Sequence, residues 1–191
     1  MKQKMRFLPV LLAAFLITGV ASAQHGNPGS GLVTFGVKGG LNYYNINHDD
    51  NTNLDNRTGY NIGILGHIHF SRTWAVQPEL VYSAQGAKGR NLDYINIPVI
   101  FQYMFDNGFR IQAGPQVGFL VKSDSENDYN PLDFALSVGV SYVVPSTGFG
   151  IDLRYNHGLS DVYESNDVKG TNRGIQFGLF YLFGHTSGKA F

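Results

Sequence analysis

The chain has no cysteine, and charged residues make up only 15% of its 191 positions. The first absence excludes a disulfide framework and an acyl anchor on a modified cysteine, so stability has to come from packing and a closed hydrogen-bond network. The second, with 14 Lys+Arg against 14 Asp+Glu, leaves no basic field that would attract nucleic acid. Also missing is an apolar run of the ~20 residues that a membrane-crossing helix needs. The one candidate, from Phe7 to Val20, stops short of that length. It follows Lys2, Lys4 and Arg6 and precedes Ala21-Ser22-Ala23, so it reads as a signal peptide over 1–23 with cleavage after Ala23. Its removal would leave 11 Lys+Arg against 14 Asp+Glu, a mildly acidic mature chain.

What is present points to β-structure. There are 24 glycines, 14 phenylalanines and 11 tyrosines. After a polar leader over 24–33, apolar residues fall on alternate positions in eight segments: 34–44, 58–70, 74–83, 92–103, 109–120, 132–143, 149–159 and 173–183. In the sixth, for example, Leu132, Phe134, Leu136, Val138, Val140 and Tyr142 alternate with Asp133, Ala135, Ser137, Gly139 and Ser141. In the eighth, Phe180 and Leu182 break the pattern. The connections 45–57, 71–73, 84–91, 105–108, 121–131, 144–148 and 160–172 alternate long and short. An eight-stranded antiparallel up-and-down transmembrane β-barrel over 34–183 has this asymmetry, with tight turns and both termini in the periplasm and longer loops outside. The polar segment 184–191 is left as a C-terminal tail.

Alternation alone does not say which face meets water, and a soluble lipocalin-like barrel with its apolar face inward is the structural alternative. The polar face is rich in Gly, Ser, Asn and Gln and poor in the Lys and Glu of a solvated surface, which favours a polar lumen and a lipid-facing apolar wall. The mid-strand charges on that face are Lys38, Arg110 and Arg154 against Glu79, Asp133 and Asp152. Unpaired buried ions cost several kcal/mol, so these six are expected to form an interior network of salt bridges rather than line a pore. Tyr43, Tyr60, Phe70, Trp74, Tyr82, Tyr103, Phe109, Phe119, Tyr142, Phe149, Tyr155 and Phe183 sit near segment ends, as interfacial girdles would.

Several stretches also resemble a known family: Phe35-Gly36-Val37-Lys38-Gly39-Gly40-Leu41-Asn42, Gln77-Pro78-Glu79-Leu80 with Tyr82-Ser83, Tyr94-Ile95-Asn96-Ile97-Pro98, Gly114-Pro115, and Arg154-Tyr155 followed by Gly158-Leu159. In order and spacing they resemble the PorT-like family of small bacterial outer-membrane β-barrel proteins. The resemblance implies an eight-stranded outer-membrane barrel; one member of that family is tied to protein secretion, and most have no assigned activity.

Candidate chemistry is sparse. His67 and His69 share a strand face and would need a third ligand such as Glu79 to hold a metal. Asp49, Asn51, Asn53 and Asp55 alternate like the opening of a calcium loop, but Leu54 replaces its turn glycine and Tyr60 its bidentate glutamate. Asp124, Glu126 and Asp128 repeat the acidic spacing and could touch lipopolysaccharide through a divalent cation. A lipid-modifying enzyme would need a nucleophile and base, for which His157 and Ser160 are the nearest pair, with Asp161 as orienter. The expectation is a non-enzymatic outer-membrane barrel without cofactor or metal, acting structurally or through its outer loops. A narrow transport pore is the first alternative and the lipid-modifying enzyme the second. Its expected partners are outer-membrane lipid, lipopolysaccharide and the barrel-assembly machinery.

Overall fold

The computed structural model describes residues 33–48, 56–87, 90–123, 130–160 and 170–183. The expected signal peptide with its cleavage after Ala23, most of the leader, both acidic loop runs, Asp161 and the tail lie outside the described residues.

Eight strands run in chain order: β1 (Val33–His48), β2 (Arg57–His69), β3 (Trp74–Ala87), β4 (Arg90–Met104), β5 (Phe109–Ser123), β6 (Leu132–Val143), β7 (Phe149–Gly158) and β8 (Gly170–Leu182). Each pairs antiparallel with its neighbours, and β1 pairs with β8 to close the barrel. Closure leaves no open sheet edge, the condition for strands to cross hydrocarbon. The strands span 10 to 16 residues, enough at ~45° tilt to cross a bilayer.

The barrel is inside-out relative to a soluble protein. Phe35, Val37, Leu41, Ile62, Ile64, Ile111, Val138, Leu153, Phe177 and Leu179 are exposed on the outer wall, while Lys38, Asn42, Gln77, Glu79, Gln102, Arg110, Asp152 and Arg154 are buried in the lumen. A contiguous apolar surface of this extent is stable only when lipid covers it.

At one end the connections are short and built by local hydrogen bonds. Ser71 Oγ accepts from the Trp74 backbone N–H at 2.9 Å. Asn107 Oδ1 accepts from the Phe109 N–H at 3.0 Å, and Gly108 turns the chain at φ +89°, a conformation that L side chains rarely adopt. The connection between β3 and β4 departs from the expected long loop over 84–91. The two strands stay paired as far as Ala87 and Arg90, so only 88 and 89 separate them. Above the lipid band outward positions need not be apolar, so the alternation fades there while the backbone pairing continues. Val33, expected in the leader, already belongs to β1.

The lumen is filled in layers. Leu65, Val143, Phe180 and Leu182 form an apolar plug towards the short-turn end. Phe180 and Leu182, which break the alternation of β8, thus point inward, and the Phe180 ring lies across Gly150, where a Cβ would fall 2.3 Å from it. A second apolar cluster, Ile46, Ala87, Leu92 and Tyr94 with Leu120 against it, caps the long-loop end. Between them lies the polar core.

Candidate functional site

The centre of the lumen holds a ring of four charges carried by three strands far apart in sequence. Lys38 Nζ on β1 lies 3.2 Å from Glu79 Oε2 on β3 and 3.0 Å from Asp152 Oδ2 on β7. Arg154, two residues beyond Asp152 and therefore on the same face, donates Nη1 and Nη2 to Glu79 at 2.9 and 2.7 Å, and Nη2 also lies 2.8 Å from Asp152 Oδ2. Each cation thus meets both anions, and the ring is neutral. A bidentate guanidinium–carboxylate pair is among the stronger charge-assisted contacts, and each charge here compensates the desolvation of its neighbours.

Arg110 does not join the ring directly. Its Nη1 donates to Gln102 Oε1 at 3.2 Å, Gln102 Nε2 to Gln77 Oε1 at 3.2 Å, and Gln77 Nε2 to Glu79 Oε1 at 2.6 Å. Two glutamines thus connect it to the ring, and its other neighbour is His67 Nε2 at 3.4 Å. Asp133 stands apart from the other five. It lies near the top of β6 opposite Gly118, too high in the barrel for the ring, and accepts from Ser160 Oγ at 2.9 Å. The six expected network residues therefore divide into a ring of four, one residue attached through amides, and one at the rim.

The amide layer above the ring was not singled out in the sequence. Asn42 Nδ2 donates to Ser83 Oγ at 2.8 Å, and Asn42 Oδ1 accepts from Asn61 at 2.8 Å and Gln176 at 3.3 Å. Higher still, Asn172 donates to Gln85 at 2.6 Å, and Asn156 donates to the Tyr44 hydroxyl. Tyr44 could not be read from alternation, because Tyr43 beside it carries the outward position and the apolar pattern stops there.

The other candidates resolve separately. His67 and His69 pack edge to face with ring centroids 4.4 Å apart, and the Glu79 oxygens are engaged by Arg154, Lys38 and Gln77. Among the described residues no group of three or more His, Cys, Asp or Glu is placed to hold a metal ion. Ser160 Oγ also accepts from the Phe134 N–H at 2.9 Å, whereas His157 Nδ1 faces the Tyr155 hydroxyl at 3.4 Å on the outer wall, so the two residues serve different faces.

The outer wall carries an aromatic belt at the short-turn end. Trp74, Tyr103, Phe105 and Phe109 follow one another at centroid distances of 5.1, 5.1 and 5.7 Å, and Phe149, Tyr181 and Phe183 at 4.7 and 5.3 Å. Such rings favour the hydrocarbon–headgroup boundary. A groove of about 430 Å³ near this belt is bordered by outward residues such as Tyr142, Phe149, Ile151, Leu179 and Tyr181 and touches Lys38 and Phe180.

A family model described as outer membrane protein beta-barrel domain matches residues 22–164. The chain belongs to this family. The protein is therefore a bacterial outer-membrane barrel, and its apolar wall is the lipid-facing one. Its fold is similar to that of Ail, the attachment invasion locus protein of Yersinia pestis, with a TM-score of 0.50 at 16% identity over 78% of this chain and 98% of that one. Neisserial surface protein A gives a TM-score of 0.49 at 16% identity, covering 77% of this chain and 96% of that one. At these identities the likeness speaks to the fold. No curated protein sequence matches the chain.

Proposed function

We propose that this outer-membrane barrel is non-enzymatic and acts structurally and by interaction, with both termini in the periplasm and the loops after β1, β5 and β7 displayed outside. The observation that carries the reading is the filled lumen: a neutral charge ring between two apolar plugs favours a rigid scaffold over an aqueous path. Loops on a rigid scaffold are where binding function concentrates. The PorT-like resemblance adds secretion or envelope assembly as the setting of that interaction, and the barrel-assembly machinery as the partner that inserts the chain.

Two measurements test this. Purified protein in planar bilayers is expected to give no stepwise conductance. An epitope placed at 161–169 is expected to be labelled on intact cells, while one at the C-terminus is labelled only after the outer membrane is permeabilised. Steady single-channel openings would replace the scaffold with the pore reading, and the reverse labelling pattern would invert the topology.

A further inference from the structure

Proline has no backbone N–H and is found within sheets almost only at edges or bulges, yet three prolines stand inside strands of this closed barrel, which has no edge. They are Pro78 on β3, Pro98 on β4 and Pro115 on β5; the other five strands contain none. Each coincides with a break in a ladder. Pairing of β2 with β3 stops at Leu65 opposite Glu79 and resumes at Ile68 opposite Val76. That of β3 with β4 breaks between Pro78 opposite Val99 and Val81 opposite Asn96, and that of β4 with β5 between Pro98 opposite Gln116 and Phe101 opposite Ala113. The register is the same on both sides of each break, so none of the three is a bulge. The five remaining strand pairs are uninterrupted.

In these registers Pro78 faces Gly66, Pro98 faces Glu79 and Pro115 faces Val99. A hydrogen-bonded antiparallel pair exchanges two N–H···O bonds, and here the proline removes one of the two. The carbonyls of Gly66, Glu79 and Val99 therefore lose their ladder donor, and lipid offers no other. Because Pro78 adjoins Glu79 and Pro98 adjoins Val99, the missing bonds form one row across three neighbouring interfaces, at the level of the charge ring. The wall is shaped around this row. A Cβ on Gly66 would lie 3.7 Å from Pro78 Cγ, and one on Gly114, beside Pro115, would fall 2.0 Å from the Val99 carbonyl oxygen. On the lumen side, side chains supply the cross-strand ties. Gln102 Nε2 on β4 donates to Gln77 on β3 at 3.2 Å and to Gln112 on β5 at 3.0 Å, and Gln112 Nε2 reaches the Val140 carbonyl on β6 at 3.4 Å.

We propose that this row is a crease: the β2–β5 wall opens along it as a local unit, without parting the β1–β8 seam, and the Gln77–Gln102–Gln112 chain is the latch that holds it shut. Local opening starts where the fewest bonds have to break, and three adjacent interfaces that each lack one concentrate the deficit in a single panel. The side from β6 through β8 to β1 keeps complete ladders. The scaffold thus has one yielding wall and one stiff one.

The test is amide hydrogen exchange, read residue by residue by NMR, on the full chain folded into phospholipid nanodiscs. The crease group comprises the amides of Gly66, Glu79 and Val99 together with Val81 and Asn96, which are paired just beyond the break. The reference group is Leu153 and Phe177, paired on the uninterrupted β7–β8 side. The crease group is expected to exchange as one set and about tenfold faster than the reference, roughly the factor that one hydrogen bond is worth. P78V/P115V, which returns two N–H donors from outward positions, is expected to slow the crease group about tenfold and leave the reference unchanged. Q112L, which cuts the latch away from Arg110, is expected to speed the crease group about tenfold and again leave the reference unchanged. Equal protection of the two groups in the wild-type protein overturns the proposal, as does unchanged exchange in P78V/P115V. Fast exchange confined to Gly66, Glu79 and Val99, with Val81 and Asn96 as slow as Leu153, makes the gaps static and overturns it too. If Q112L speeds both groups alike, or neither, the latch is refuted. If P78V/P115V does not fold, the wild-type comparison of the two groups decides alone.

Discussion

Glu79 is the residue on which the charge ring depends, and its replacement by glutamine has a calculable consequence. Its side chain is 0% exposed, and its two oxygens meet Arg154, Lys38 and Gln77. Glutamine keeps the volume but removes one negative charge and turns an amide donor toward two cationic donors. Asp152 is then the one ring carboxylate for both Lys38 and Arg154, which leaves a net buried positive charge. Breaking a buried pair in this way costs about 3–5 kcal/mol. Adding Lys38→Met restores neutrality, with Arg154 retained on Asp152 at 2.8 Å. The double variant is therefore expected to recover more than half of the loss, although it lacks two of the native charges. Urea unfolding in phospholipid vesicles, followed by tryptophan emission and gel mobility, measures both. The reasoning fails if E79Q loses less than about 1 kcal/mol, or if the double variant is as unstable as E79Q. Either result would mean that water or strand movement, rather than ionic pairing, compensates these charges.

Three further perturbations probe other levels of the structure. At Gly178 a Cβ would fall 2.1 Å from Asp152 Oδ1, so Gly178→Ala should cost about 1–3 kcal/mol, while Gly66→Ala, whose nearest neighbour is Pro78 Cγ at 3.7 Å, should be near neutral in the same urea titration. Phe180→Ala empties the centre of the apolar plug and should cost about 3–5 kcal/mol, seen as a lowered midpoint of heat-induced gel mobility. Leu153→Arg places a charge on the outer wall midway along β7, where the leucine is 49% exposed; unfolding from vesicles should show a cost of about 2–4 kcal/mol, and a change within experimental error would mean that this wall does not face lipid.

Strand number, antiparallel order and the inward set of Lys38, Glu79, Asp152 and Arg154 were legible in the sequence, because a strand's period of two assigns each residue a face without knowledge of its neighbours. What alternation could not supply is which inward residues meet. That depends on strand tilt and stagger, which place Lys38 and Arg154 on Glu79 across the lumen and leave Asp133 beside Ser160. The ends of strands were harder still. Phe180 and Leu182 look like errors of pattern until the lumen is seen to need an apolar plug there. Residues 84–91 look like a loop because pairing above the lipid band leaves no hydropathy trace. The glutamines 77 and 102 stood in plain view on the polar face, but their role as a bridge from Arg110 exists only in three dimensions.

The charge ring also bears on the order of assembly. Its members come from the first, third and seventh strands: Asp152 and Arg154 meet within β7 and Lys38 can reach Glu79 once β3 is in place, but Glu79 lacks its bidentate partner Arg154 until β7 arrives. An open, half-inserted sheet would carry these two half-rings, each incompletely compensated, on a surface that water has to serve. Water must therefore occupy the interior until the seam closes, and leave as the last strands join. Closure and dehydration become one event, which makes an incompletely zipped barrel costly and a completed one slow to reopen.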